Sequence, residues 1–327
     1  TGALLHVFNH AIFKGLLFLG AGAVVQAAQT RDLEQLGGLL KRLPQTGLFF
    51  LIGAVAIAGL PPLNGFVSEF LIYFSAFSAG GSLNAWPFVG VIAGLVLMGG
   101  LTAACFAKVF GIIFLGEPRS AAAARASEQA LAMRWPMLIL AAACVLLGLL
   151  SVPCVKALQP VVASILAQPE AQITSALFRP LFALTMIVLM TLIMALILIV
   201  LLLARRRWRR GRAHPAVLTW DCGYAAPNAR MQYTASSFAQ PFTTLFQPVL
   251  RSQHTAERPS GYFPAEIQFA TETSDRFRSR LFHDLYRVTR WLLTKLHWLQ
   301  HGRMQLYVLY IVITLIVLLI WHHWGGG

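Results

Sequence analysis

Long runs of apolar residues dominate the chain, and shorter polar segments separate them. A window of about 20 residues, the length that crosses a bilayer as a helix, detects six apolar units. They cover residues 3–28, 47–79, 87–115, 135–152, 177–204 and 305–321. The fourth unit is short and the fifth is long, so we expect tilted helices or uneven helix ends. The pattern predicts an all-α polytopic membrane protein.

Composition and charge agree with this class. Of the 327 residues, 57% are hydrophobic and 12% are charged, which excludes an ordinary soluble domain. The net charge is +14, and more than half of the Lys and Arg residues lie between Arg205 and Arg303. Basic clusters beside membrane spans contact anionic lipid, so we expect lipid and not nucleic acid as the partner of this charge. A simple solvated charge run is the alternative for Arg205–Arg210.

The cysteines predict neither a metal cluster nor a disulfide framework, because the four of them show no CxxC spacing. We therefore expect no cofactor in this chain. Any iron–sulfur chemistry would belong to partner subunits. The chain begins at Thr1, without methionine and almost inside an apolar unit, so we expect it to be the C-terminal part of a longer protein.

The connections between the apolar units alternate in charge. The first and third are basic, the fifth is the long basic segment, the second has no basic residue, and the fourth has two. By the positive-inside rule, the odd connections are predicted to be cytoplasmic and the C-terminus to lie outside the inner membrane of a bacterium. The basic residues of the first and third connections are Arg31, Lys41, Arg42, Arg119, Arg125 and Arg134.

The long fifth connection has two kinds of sequence. Residues 215–264 contain Pro, Gly, Ser and scattered aromatic residues, which indicates an irregular segment lying on other protein. From about Thr273 to Gln300, apolar residues recur at helical spacing beside Arg and His. This pattern predicts an amphipathic helix that lies at the membrane interface or docks on a partner.

The second apolar unit contains an acidic residue, Glu69, shortly after a segment that must interrupt the helix. Pro61 and Pro62 lack backbone donors and Gly65 loosens the chain, so we predict a break over residues 60–65. A charge inside a membrane costs several kcal/mol unless it is paired, hydrated or protonated, so Glu69 is a candidate functional residue. The alternative is a static helix-start acid bound by backbone N–H groups.

A second polar feature lies in the first apolar unit. His6, His10 and Lys14 are spaced four residues apart and form one stripe of a helix. Because histidine changes its charge near neutral pH, the stripe is a candidate relay of proton-carrying sites. Metal binding by the two histidines, a hydrogen-bonded histidine pair and pairing of Lys14 with an internal acid remain alternatives. Lys108 is either a proton exit station or a lysine that reaches the interface.

Four runs of sequence match a known pattern in order: His6–Leu19, Asp32–Leu39, Ala58–Phe70 and Phe106–Gly111. They resemble the antiporter-like membrane subunits found in respiratory complex I, Mrp-type cation/proton antiporters and membrane-bound hydrogenases. A later match, over residues 219–224 and 231–238, is similar to the large antiporter-like subunits of formate hydrogenlyase and hydrogenase-4 complexes.

The resemblance implies a bundle of two inverted five-helix repeats, each with a broken helix, followed by C-terminal helices. Residues 1–116 would hold the end of the second repeat, and residues 117–204 two further helices. Residues 205–302 would form the basic cytoplasmic segment, with an amphipathic helix at about 273–300, and residues 303–327 the final helix and outer tail. Glu69 would be the terminal proton site, with His6, His10 and Lys14 on the central polar axis. The acidic and basic residues expected earlier in the family pattern have no counterpart in this chain.

The function implied by the resemblance is that of a proton-translocating subunit in a membrane-bound nickel–iron (NiFe) hydrogenase complex. Nickel–iron and iron–sulfur centres would lie in cytoplasmic hydrogenase subunits, and other membrane subunits would be neighbours. This chain would carry out no redox catalysis itself. A complex I or Mrp-type subunit carrying H⁺ or Na⁺ is an alternative, and a passive membrane scaffold is a second.

Overall fold

A computed structural model describes residues 1–79, 86–211, 229, 231–250, 253–256, 269–272, 282–296, 302 and 304–325. The chain divides into two compact units, residues 1–239 and 240–327. The fold is an α-helical membrane bundle, which confirms the predicted class. The helices are α1 Gly2–Ala28, α2 Pro44–Ile57, α3 Asn64–Ala79, α4 Trp86–Phe114, α5 Ala121–Arg125, α6 Leu131–Leu149, α7 Ser151–Ala157, α8 Gln159–Leu166, α9 Glu170–Arg209, α10 Ala235–Leu245, α11 Gln247–Leu250, α12 His283–Leu296 and α13 Met304–Gly325.

Five of the described helices, α1, α4, α6, α9 and α13, are long and apolar enough to cross a membrane. The second predicted apolar unit is the pair α2 and α3, two shorter helices joined by residues 58–63. The protein is therefore a multi-pass membrane protein. In α4, α9 and α13 the most apolar stretch has no residue buried inside the chain. These surfaces are available to lipid or to other protein.

Helix α9 differs most from its predicted limits. It has 40 residues and extends from Glu170 to Arg209, beyond both ends of the predicted unit at 177–204. At 1.5 Å per residue it is about 60 Å long, roughly twice the thickness of the bilayer core. The arginine-rich C-terminal part of α9 continues as helix because Arg is a good helix former, and cations are favoured at a helix C-terminus. The arginines from 205 to 209 therefore belong to the helix itself.

The end of α2 is a glycine-terminated helix cap. The N–H of Gly59 donates to the Ala56 carbonyl, and the N–H of Leu60 donates to the Val55 carbonyl. Gly59 has φ +63°, the left-handed conformation that a residue with a side chain rarely adopts. This pair of bonds is the Schellman arrangement, so the chain leaves α2 at a defined angle before Pro61.

The helix resumes earlier than predicted. Helix α3 begins at Asn64, so Gly65 lies inside its first turn and not in the break. Gly65 is needed for close packing, because a Cβ atom at this position would overlap the Ala56 carbonyl oxygen. The prediction of a break over residues 60–65 is corrected to residues 58–63.

Short connections close one end of the first unit. We call this end of the unit the basic end. It contains the segment between α1 and α2, with 3₁₀ turns at Leu33–Gln35 and Leu39–Lys41, and the segment between α4 and α6. A buried apolar cluster lies beneath it. Its most buried members are Val24, Ala28, Leu36, Leu39, Leu43, Phe114 and Ala123.

The described part of the second unit contains the end of α10, a short antiparallel ladder and the helices α11, α12 and α13. Strands β1 Gln253–Ala256 and β2 Phe269–Glu272 pair with Gln253 opposite Glu272. The sequence predicted irregular chain over residues 215–264, so α10, α11 and β1 were missed. Within the predicted amphipathic segment at 273–300, α12 forms at His283–Leu296. Residues 273–281 and 297–300 lie outside the described residues.

Candidate functional site

Helix α1 lies antiparallel to α3 and places its first polar residues against the start of that helix. Gly2 lies against Leu71 and Ile72, which shows how closely the two backbones approach. One turn further along α1, His6 lies opposite Ser68. The polar side of α1 therefore faces the second half of the broken helix, directly after the break.

Two buried asparagines join α1 to the first turn of α3. The Asn9 side-chain amide donates to the backbone carbonyl of Asn64 at 2.8 Å. The Asn64 side-chain amide donates in return to Asn9 Oδ1 at 3.2 Å. Both side chains are almost fully buried, so each bond satisfies a group that water cannot reach. The pair holds the restart of the helix at a fixed height on α1.

Ser68 connects His6 to the backbone of α3. Its Oγ lies 3.0 Å from His6 Nδ1, and the hydroxyl also reaches the Gly65 carbonyl at 3.0 Å. A hydroxyl has one hydrogen, so when Ser68 donates to Gly65, His6 must donate to Ser68 through Nδ1–H. The bond can reverse if the histidine tautomer changes. Ser68 therefore links a titratable ring to the first turn of α3, directly after the break.

The three residues of the predicted stripe on α1 have different surroundings. The rings of His6 and His10 are 6.1 Å apart between centroids, while His10 is exposed and packs edge-on against Phe13. Lys14 is half-buried, with Nζ 5.5 Å from the Phe18 ring centroid. Among the described residues Lys14 makes no ion pair with an acid. The hydrogen bond of His6 in the described structure joins Nδ1 to Ser68, whereas its contact with His10 is one between tilted rings.

Glu69 is the residue after Ser68 in α3, and its carboxylate contacts the segment that follows α2. The side chain is half-buried and its carboxylate lies against Gly59 in the break, in the space that a Cβ atom at Gly59 would occupy. The described residues provide no hydrogen bond or ion pair to Glu69, so the backbone N–H bonds of a static cap are not observed. The neighbouring titratable residue on the same face is Tyr73, one turn further along.

The structure brings only some of the predicted site residues together. His6 and His10 are adjacent, whereas Glu69 has no described contact with Lys14. Lys108 is half-buried on α4, and the described residues include no hydrogen-bond or ion-pair partner for it. Nowhere among the residues that the structure describes are three His, Cys, Asp or Glu side chains grouped so that they could hold a metal ion.

Sequence reasoning missed Ser68, Asn64 and their contacts to α1. A signal was present, because Asn64 and Ser68 are four residues apart and Asn9 follows His6 by one turn. Two polar stripes of this kind on neighbouring helices are expected to face each other inside a membrane. The pairing of the two stripes required the antiparallel register of α1 and α3.

A second polar cluster closes the basic end. Arg119 donates to the backbone carbonyls of Leu36, Ile112 and Tyr233 at 2.7–3.2 Å. The Gln232 side-chain amide makes two bonds to the backbone of Glu117, at 2.9 and 3.0 Å. These contacts dock residues 231–237 on the connection after α4. The sequence did not predict this docking.

Comparison with known proteins agrees with this architecture. Residues 1–95 match the model of the NADH:quinone oxidoreductase/Mrp antiporter transmembrane family. Hydrogenase-4 component B of Escherichia coli (strain K12) is 35% identical over 98% of this chain and 49% of its own length. The chain belongs to the antiporter-like membrane subunits.

Other relatives extend the similarity. Formate hydrogenlyase subunit 3 of the same organism is 34% identical over 77% of this chain and 40% of its own length. A chain of an archaeal membrane-bound sulfane sulfur reductase has the same fold, with a TM-score of 0.62 and 19% identity over 98% of this chain and 47% of its own. This antiporter-like chain therefore spans about half the length, or less, of these relatives.

Proposed function

We propose that this chain is a proton-translocating part of an antiporter-like subunit in a membrane-bound nickel–iron hydrogenase complex. One observation carries the proposal. Glu69 is a half-buried acid in a membrane helix, seated against a break and without a described partner. Keeping such a group inside a membrane is costly, and the cost is explained if the carboxyl binds and releases a proton.

The chemistry of the break suits a proton site. Pro61 and Pro62 have no N–H, so the carbonyls of Ile57 and Ala58 lack their usual helical donors. Glu69 reaches the adjacent residue, Gly59. A carboxyl group has a hydrogen to donate only when it is protonated, while an ionised carboxylate and a carbonyl can both only accept. Proton binding by Glu69 therefore adds a donor where donors are missing.

The hydrogen-bond network between α1 and α3 supplies the input. A charge change in a neighbouring subunit would shift the protonation of His10 and Lys14, the two residues that follow His6 in the stripe. His6 would respond through its ring contact with His10 and pass the change to Ser68. Ser68 precedes Glu69 in the same helical turn, so a changed hydrogen bond there alters the surroundings of the carboxyl.

Similarity to hydrogenase-4 component B over nearly the whole chain supports the hydrogenase type. On this proposal, nickel–iron and iron–sulfur centres belong to cytoplasmic hydrogenase subunits, and further membrane subunits flank this one. The basic connections face the cytoplasm of a bacterium, with the C-terminus outside its inner membrane. Lys108, on α4, would then lie towards the cytoplasmic side as a proton exit station.

The test uses the complete complex reconstituted in vesicles. Glu69→Gln keeps the shape of the side chain but removes the titratable group, so proton movement should be lost while hydrogenase turnover persists. Glu117→Gln is the matched control, because Glu117 is exposed and pairs with Lys41 at the basic end. Unchanged proton movement in Glu69→Gln would refute the proposal and favour a passive scaffold.

The same vesicles show whether the transported ion is H⁺ or Na⁺. Omitting Na⁺ should leave proton movement intact if the chain carries protons. A strict requirement for Na⁺ would instead favour the Mrp-type or complex I-type alternative. Nickel and iron that co-purify with the complex would identify the hydrogenase type independently of transport.

A further inference from the structure

The glycine at the end of α2 has a neighbour that its backbone role does not require. Gly59 adopts its left-handed conformation to end the helix, as a cap glycine does. A cap glycine in open surroundings, such as Gly211 with φ +81°, has no atom near the position of its missing Cβ. At Gly59 the same position is occupied by the Glu69 carboxylate.

The contact involves the whole carboxylate. Oε2 overlaps the position of a Cβ atom at Gly59, the carboxyl carbon is 2.9 Å from it, and Oε1 is 3.3 Å from it. The two residues are ten positions apart, with Gly59 in the break and Glu69 in α3 beyond it. The Glu69 side chain therefore extends back along α3 and rests on the Cα of the residue that ends α2.

We infer that Gly59 is a positioning residue that forms the seat of the Glu69 carboxyl. The inference rests on the proposed proton site at Glu69 and adds the part of the chain that holds it. Because the seat is made of backbone, the position of the carboxyl depends on the geometry of the break. A movement of α2 relative to α3 would displace the carboxyl directly.

Gly59→Ala tests the seat, because the new methyl group must displace the carboxyl. A misplacement of about 1 Å at a reacting group can lower a rate by up to about a hundredfold, so we expect proton uptake by the reconstituted complex to fall at least about tenfold. Gly59→Ala/Glu69→Asp shortens the acid by one methylene and leaves room for the methyl. This double variant should transport protons faster than Gly59→Ala.

Thermal unfolding of the same complexes separates the seat from backbone strain. Gly59→Ala should lower the melting temperature more in the native background than in Glu69→Ala, where no carboxyl meets the methyl. We expect the loss in the Glu69→Ala background to be less than half as large. Gly211→Ala reports left-handed strain in open space and should leave proton uptake unchanged.

The outcomes are distinct from those that test the proposed function. Equal losses of melting temperature in the two backgrounds would show that the carboxyl does not occupy the seat. Unequal losses without rescue by Glu69→Asp would show a contact that does not position the acid. If Glu69→Gln leaves proton uptake intact, the proposed function fails, but the melting temperatures still decide whether the seat exists.

Discussion

Ser68 Oγ lies 3.0 Å from His6 Nδ1 across the interface between α3 and α1. The same hydroxyl reaches the backbone of Gly65 at the start of α3. Ser68 immediately precedes Glu69 in the sequence. The bond between His6 and Ser68 thus connects the titratable stripe on α1 to α3, the second half of the broken helix. Under the proposed function, a proton signal from α1 would reach α3 through Ser68.

Removing the Ser68 hydroxyl should therefore impair transport. Ser68→Ala is expected to lower proton uptake by the reconstituted complex about tenfold or more, because a positioned proton-transfer group is worth at least that much. Ser75→Ala is the control, since Ser75 lies two turns further along α3 and is exposed. Equal uptake by the Ser68→Ala and native complexes would exclude this route.

The asparagine pair should behave as one unit. Asn9→Leu leaves the buried Asn64 amide without its acceptor, which costs about 1–3 kcal/mol of folding free energy. Asn9→Leu/Asn64→Leu removes both amides and should destabilise by less than the sum of the two single changes. Thermal unfolding of the three variants measures this coupling. Strict additivity would mean that the pair contributes no mutual bond.

The close packing at Gly65 should not tolerate a side chain. Gly65→Ala forces a methyl group onto the Ala56 carbonyl, and overpacking of this kind costs about 1–3 kcal/mol or more. Gly100→Ala is the matched control, because Gly100 is also helical but has open space at its Cβ position. We expect Gly65→Ala to lower the melting temperature and Gly100→Ala to leave it unchanged or higher, since alanine is the better helix former.

At the basic end, two basic residues should differ in importance. Lys41 and Glu117 form an exposed ion pair at 2.9 Å, and such pairs contribute about 0–1 kcal/mol. Arg119 is half-buried and donates to three backbone carbonyls. Hydrogen bonds from a charged donor are worth about 1.5–3 kcal/mol each. Arg119→Met should lower the melting temperature far more than Lys41→Met, and similar losses would contradict the docking of residues 231–237.

Much of the fold could be predicted because its signals are local. The six apolar units correspond to described helices, with the second divided into α2 and α3. Pro61 and Pro62 predicted the break because a missing N–H acts within one turn of the chain. The start of α3 was placed too late because Gly65 was taken as part of the break. Gly65 is required because α3 packs closely against α2 at this position, and sequence spacing does not reveal that contact.

The candidate site was predicted only as a set of residues. His6, His10 and Lys14 lie on one helix, and helical periodicity alone places them in a stripe. Their different surroundings, with His6 against Ser68 and His10 exposed, depend on how α3 packs against α1. The orientation of the basic connections and the roles of Glu69 and Lys108 stay predictions.

The sequence by itself determined the membrane class, the position of the broken helix and the presence of an acid just after it. These properties follow from hydrophobic length and from proline chemistry, which act on neighbouring residues. Only the tertiary structure decided which groups meet. Glu69 rests on Gly59 and Gln232 binds Glu117 because helix packing brings together residues that are 10 and 115 positions apart. Contacts of that kind depend on the register between helices, which no single segment specifies.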